Sequence, residues 1–285
     1  MLCFFSSDLH GKIDRYEKLF DKIKKEKPAA VFLGGDLYPS GLFSFTSKPE
    51  TVSDFTEFLF YSFNDLKRKL GNDYPRVFLI LGNDDGKSEE KRLTEYEKVG
   101  VWEYIHGEST VFKNYTIYGY SYIPPSPFQL KDWEKYDVSR FIDPGCTPPE
   151  DGWHTLEIKK DDIIYSTIQK DLEKLTEGKD LSKSIFLFHS PPYQTLLDRA
   201  ALDGKMVDYV PLDVHIGSIA IKRFIEEKQP LLCLHGHVHE STRLTGSWKD
   251  KIGETIAFQG AHNGKELSLI KFDPANLKES TRELI

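Results

Sequence analysis

Short apolar runs alternate with amphipathic stretches along the first half of this chain. Phe4-Phe5, Val31-Phe32-Leu33, Val77-Phe78-Leu79-Ile80-Leu81, Ile185-Phe186-Leu187-Phe188 and Leu231-Leu232-Cys233-Leu234 are each bounded by Gly or polar residues, which predicts buried strands. Between them, 15–25 carries Tyr16, Leu19, Phe20 and Ile23 at helical spacing, and 53–70 carries Phe55, Leu59, Phe63 and Leu66 in the same way. These two helices lead to strands predicted at 29–33 and 76–81. A shorter helix is expected over 89–98, then strand-like segments at 101–104, 109–112 and 116–120.

The middle, about 123–160, is rich in Pro, Trp and Tyr and has no clear period, which suggests an ordered insertion rather than a linker. Helical spacing returns over 161–175 and 218–227, where Ser218 is a good N-cap. From 240 to 272 the pattern alternates like an antiparallel meander. The expectation is a single α/β domain over 1–285, two packed sheets with helices outside, carrying that insertion.

Composition narrows the picture modestly. A net charge of −7 over 285 residues argues against a nucleic-acid partner, which relies on clustered Lys and Arg. It leaves room for a small anionic substrate, because bound cations reverse the local potential. The basic run 22–27 contains Glu26 and reads as a solvated helix face. Cys3, Cys146 and Cys233 are odd in number and widely spaced, favouring free thiols and a reducing, cytoplasmic setting. No stretch is long enough to span a bilayer, and the first residues lack the basic flank of a signal peptide.

The chemistry lies where the apolar runs stop. They end in Asp8-Leu9-His10, Gly35-Asp36, Gly82-Asn83, His189, and Gly236-His237-Val238-His239. Strands of one sheet end along a common edge, so this order gathers Asp, Asn and His side chains from distant segments. Neutral imidazoles and carboxylates suit borderline first-row divalent metals. Gly34, Gly35, Gly82 and Gly236 allow tight turns before the next side chain.

In that order, Asp-x-His, Gly-Asp, Gly-Asn-x-Asp, a lone His after a strand, and Gly-His-x-His resemble the signature of calcineurin-like metallophosphoesterases. The stretches His189 to Asp198, His215 to Ser218 and Gly236 to Ser241 look like the branch of predicted Icc-related phosphoesterases. The resemblance implies a four-layer αββα sandwich of two mixed β-sheets flanked by helices. It also implies two divalent ions, Mn, Fe, Zn or Ni, roughly 3.5–4 Å apart. Asp8, His10 and His239 would hold the first, Asn83, His189 and His237 the second, and Asp36 would bridge them. A hydroxide bridging the metals would attack a phosphate mono- or diester of a small molecule, for instance a nucleotide-like one. The alternative from another class is a catalytically weak metal-binding scaffold on the same fold.

One position departs from the family. Where Gly-Asn-His is usual, this chain has Asp84, followed by Asp85. Asp84 is expected either to act as a weak acid or to order water, with His215 or His262 as other candidates for facing the leaving group. His235 is expected to be structural, because its side chain points away from its neighbours' in an extended segment. His106 and His154 are expected at the surface. Tyr120, Tyr122, Phe128, Trp133, Tyr136 and Trp153 form either a lid or a satellite core beneath the insertion, the latter favoured.

Overall fold

The structure is a computed structural model that describes residues 1–40 and 55–285. Six strands form one sheet in the order β14-β13-β1-β2-β3-β4. They are β1 Cys3–Ser6, β2 Ala30–Gly34, β3 Arg76–Ile80, β4 Glu103–Tyr104, β13 Ser268–Phe272 and β14 Thr281–Leu284. The second six-stranded sheet runs β11-β12-β10-β7-β6-β5. Its members are β5 Ser109–Phe112, β6 Tyr115–Tyr120, β7 Ser184–Phe188, β10 Leu232–His235, β11 Lys249–Ile252 and β12 Thr255–Gln259. A small hairpin, β8 Met206–Val207 with β9 Val210–Pro211, stands apart from both.

Alternation along each strand builds the layers. Cys3, Phe5, Phe32, Phe78, Ile185, Leu187, Leu232 and Leu234 are buried together between the two sheets. Their neighbours Phe4, Val31, Leu33, Val77 and Leu79 face the other way, onto Tyr16, Leu19 and Ile23 of helix Ile13–Glu26 and Leu59, Phe63 and Leu66 of helix Phe55–Leu70. Phe186, Phe188 and Cys233 pack against Leu172 of helix Ile168–Leu175 and Ile221, Phe224 and Ile225 of helix Ile219–Lys228. Strands buried on both faces read as continuous apolar runs, the pattern seen in the sequence. The four-layer arrangement of two mixed sheets flanked by helices is therefore as expected. Ser53 and Asp54, the predicted start of the second helix, lie outside the described residues.

Within the first sheet β1, β2, β3 and β4 are mutually parallel, and within the second β12, β10, β7 and β6 are. The five strands preceding the candidate ligands are thus central and parallel, and antiparallel pairing is confined to the flanks.

Two expectations are corrected. The helix predicted over 161–175 is two helices, Lys160–Ile164 and Ile168–Leu175, because Thr167 is extended and its hydroxyl accepts the Lys170 N–H as an N-cap. The meander predicted over 240–272 is a one-turn helix, Ser241–Thr245, then the β11–β12 hairpin, after which β13 crosses to pair with β1 in the other sheet. Among the described residues no helix is long and apolar enough to cross a membrane. The three cysteines are free thiols, Cys3 and Cys233 buried.

Candidate metal centre

Each candidate ligand sits just beyond a strand end, in a tight turn. Asp8 and His10 follow β1, Asp36 follows β2, Asn83 follows β3, His189 follows β7, and His237 and His239 follow β10. Asp8, His10, Asp36 and His237 adopt left-handed backbone conformations, with φ of 59°, 49°, 51° and 71°. For residues other than glycine this costs about 1–2 kcal/mol each and persists only where the surroundings over-determine it. Four of the seven converging polar residues thus share this backbone conformation.

The seven side chains meet. Ligand atoms of Asp8, His10, Asp36 and His239 all lie within 4.8 Å of one another. His239 Nε2 is 3.0 Å from His10 Nε2 and 3.0 Å from Asp8 Oδ1. Asp36 Oδ2 lies 3.9 Å from His10 Nε2 and 3.4 Å from His189 Nε2, so one carboxylate reaches both sides of the cluster. His189 Nε2 is also 2.9 Å from Asn83 Oδ1. The His237 ring stands 5.3 Å from that of His189, and its backbone N–H donates to both Asp8 carboxylate oxygens at 3.1 Å.

Surrounding groups orient these atoms. His189 Nδ1 is 2.8 Å from the Gly34 carbonyl, which only accepts; Nδ1 therefore carries hydrogen and Nε2 is turned inward. Burial would lower the His189 pKa, but the Asp36 carboxylate outweighs it and raises it to about 10. Burial would raise Asp36, yet His189 and His10 hold it below the usual carboxylate range. Burial and the neighbouring His189 bring His237 down to about 3, and burial likewise lowers His10, so both are neutral imidazoles.

Two framing residues, Arg15 and Ser40, escaped the sequence reading, as did the role of a third, Asp85. Asp85, fully buried, accepts the backbone N–H groups of Leu37 at 3.1 Å, Tyr38 at 2.8 Å and Gly82 at 2.9 Å, tying the β2 turn to the β3 turn. Arg15, 2% exposed, donates to the carbonyls of Asp8 and Gly264, each at 2.6 Å, and so joins the β1 turn to the loop after β12. Ser40 touches both His10 and Asp84. The doubled acid after Gly-Asn was the available signal for Asp85. For Arg15 there was none, since a basic residue early in an amphipathic helix is ordinary.

The glycines have a narrower role than allowing turns. Only Gly35, at φ +92°, needs its own conformation; a Cβ on Gly236 would lie 2.6 Å from Asp8 Oδ2, and one on Gly82 2.4 Å from Asp36 Oδ1. Gly82→Ala is expected to displace the Asp36 carboxylate and lower metal affinity at least tenfold, read by metal titration of the folded variant.

A family model for the calcineurin-like phosphoesterases matches residues 1–241. The chain belongs to that family. Its fold is shared by TT1561 of Thermus thermophilus, 16% identical over 99% of this chain and 98% of the other, with a TM-score of 0.57. A dimetal phosphatase from Danio rerio, 10% identical over 95% and 91% of the two chains, gives 0.52. The uncharacterized protein MJ1162 of Methanocaldococcus jannaschii is 40% identical over 77 residues, and this family member spans only 29% of its length in that match.

The donor set fits divalent cations. His10 Nε2, Asp8 Oδ1 and Asp36 Oδ2 are acceptors drawn around His239, whose Nε2 lies 3.0 Å from both Asp8 Oδ1 and His10 Nε2 and carries the hydrogen between them, a proton standing where a metal would bind. Asn83 Oδ1, His189 Nε2 and Asp36 Oδ2 repeat this on the other side, where a proton on His189 fills the gap in the metal-free protein.

The remaining histidines divide. His215 Nδ1 pairs with buried Asp198 Oδ1 at 2.8 Å, and His262 Nε2 lies 3.1 Å from Glu266 Oε2. Neither is joined to the seven by a described side-chain contact, whereas the Asp84 N–H donates to Asp36 Oδ1 at 2.8 Å. His235 is fully buried, stacked on Phe188 with Nδ1 2.9 Å from the Ser190 carbonyl, the structural place expected. The surface expectation for His106 and His154 is corrected. His106 packs on Trp133 and Tyr122 and accepts the Ser121 N–H, while His154 is wedged between Asp132 and the Pro149 carbonyl. The satellite-core expectation is corrected too: Trp133 is part of the main core under the first sheet's helices and Tyr120 of the core on the second sheet's outer face, with Tyr122 packed against both, while Phe128 and Trp153 face solvent.

Proposed function

We propose that this protein hydrolyses a phosphate mono- or diester of a small molecule at two divalent cations. Asp8, His10 and His239 would hold the first, Asn83, His189 and His237 the second, with Asp36 shared. The observation that carries this is the convergence of acceptor atoms from five parallel strand ends on two adjoining points, with the Asp36 carboxylate reaching both. When bound, the two ions would supply a water deprotonated near neutral pH and would neutralise charge on the phosphoryl oxygens.

The chain's own groups set the conditions. Asp8 and Asp36 bring two negative charges against four positive ones, and Asn83 adds an acceptor without charge. The site thus remains attractive to a phosphate despite the net charge of −7. Turn backbones held by Asp85 and Arg15 keep the ligands in place without rearrangement, which is the protein's part in such catalysis. With Asp84 where the family usually has an imidazole, esters whose leaving groups depart without a proton are the expected substrates.

The test is a screen of aryl phosphomonoesters and diesters with Mn, Ni, Zn and Mg added separately. Turnover with at least one metal is expected; bound metal without turnover of any ester favours the scaffold alternative. Metal binding must also displace the proton on His189. Affinity is therefore expected to rise with pH between about 7 and 10, approaching tenfold per unit, as read by competition with a chelator of known pH dependence. A flat profile would remove His189 from the ligand set.

A further inference from the structure

The acid that replaces the family's usual histidine grips the cluster with both oxygens. Ser40 Oγ donates to Asp84 Oδ2 at 3.3 Å and lies 3.2 Å from His10 Nδ1. A hydroxyl has one proton, so Ser40 accepts from Nδ1; His10 carries its hydrogen there and turns a bare Nε2 toward His239. The direct separation of His10 Nδ1 from Asp84 Oδ2 is 3.5 Å, which leaves the hydroxyl as the link. The other oxygen, Asp84 Oδ1, accepts from Asn83 Nδ2 at 3.2 Å. That settles the amide's orientation, with Asn83 Oδ1 directed at His189 Nε2.

We infer that Asp84 is a positioning residue that braces one ligand of each proposed metal position, His10 through Ser40 on one side and Asn83 directly on the other. The inference rests on the two-cation reading above. Only a carboxylate can do this. A neutral imidazole offers one acceptor and a protonated one none, so the family's histidine could not receive both Ser40 and Asn83. Asparagine offers one acceptor oxygen and a competing NH2. The backbone N–H of residue 84, which donates to Asp36, is retained with any side chain.

The experiment titrates Mn(II) into the full-length metal-free protein, reading free Mn(II) by electron paramagnetic resonance. The His10 tautomer is followed separately by long-range 1H–15N correlation before any metal is added. Asp84→Ala is expected to weaken both sites about tenfold or more, Asp84→Asn one of them, and Ser40→Ala one of them. In metal-free wild type, His10 is expected to be protonated at Nδ1, and in Asp84→Ala and Ser40→Ala to become a tautomer mixture. A residue acting only as proton donor would leave all affinities and the tautomer unmoved, and that result overturns the proposal. So does loss at a single site in Asp84→Ala with the His10 tautomer unchanged. If wild type binds no Mn(II), the cation reading falls, and the tautomer in the metal-free variants decides the bracing alone. Asp84 is 32% exposed, so a folded variant is expected, and Asp84→Asn provides a near-isosteric check.

Discussion

Asp36→Asn is expected to empty both metal positions at micromolar metal and to lower turnover by on the order of a thousandfold or more. Asn matches Asp in size and is among the residues that tolerate a left-handed backbone, so the φ of 51° is preserved and the variant folds. What changes is charge. Asp36 Oδ2 lies within 4 Å of both His189 Nε2 and His10 Nε2, and a unit charge at that range is worth about 4 kcal/mol at an effective dielectric of 20. That exceeds the roughly 1 kcal/mol of a neutral hydrogen bond, so loss of charge dominates over loss of contact. An amide would also turn N–H groups toward nitrogens that must stay bare. The check is metal content per chain after dialysis, beside turnover of whichever aryl ester the screen identifies. Full activity with two metals retained would contradict the shared role of Asp36.

This expectation could be framed from the sequence, because the candidate residues that the structure brings together were legible there. Each apolar run stopped at a metal-ligand residue, and parallel β1, β2, β3, β7 and β10 bring those stops to adjoining edges. The continuous apolar runs also signalled strands buried on both faces, since Phe4 and Phe5 face opposite sides of β1. What holds the ligands was illegible. Arg15 and Asp85 act on backbone carbonyls and N–H groups, which leave no trace in side-chain pattern. Ser40 lies past the β2 turn, where no periodicity marks it.

The errors have the same origin. Ile163, Ile168 and Leu172 keep near-helical spacing, so a break at Thr167 made by a hydroxyl cap was invisible to periodicity. Alternation over 240–272 signalled antiparallel strands but could not say where each begins or which sheet it would join; β13 pairs with β1 at the far end of the chain. His106 falls between two strand-like segments and His154 in the aperiodic insertion, so no pattern in the sequence signalled what covers them. Their rings are covered by the insertion, whose packing is long-range.

The second large effect concerns stability rather than chemistry. Asp85→Ala is expected to destabilise the metal-free protein by about 3–5 kcal/mol, seen as a lowered urea midpoint with little change in slope. The side chain is fully buried and its two oxygens take three backbone N–H groups, from Leu37, Tyr38 and Gly82. Removing it strands all three donors without water, each costing about 1–3 kcal/mol. The site gives part of this back, since burial and the nearby Asp36 raise the Asp85 pKa to about 8, so the deleted carboxyl is a partly disfavoured ion. That offset places the estimate below the simple sum. Asp85→Asn separates the two contributions. It removes the charge, keeps one oxygen either for Leu37 and Gly82 together or for Tyr38, and presents an NH2 to whichever donor side is left. An intermediate loss of about 2–3 kcal/mol is therefore expected. An Asp85→Ala variant as stable as wild type would mean that these N–H groups find other partners and that the β2 and β3 turns hold without their common acceptor.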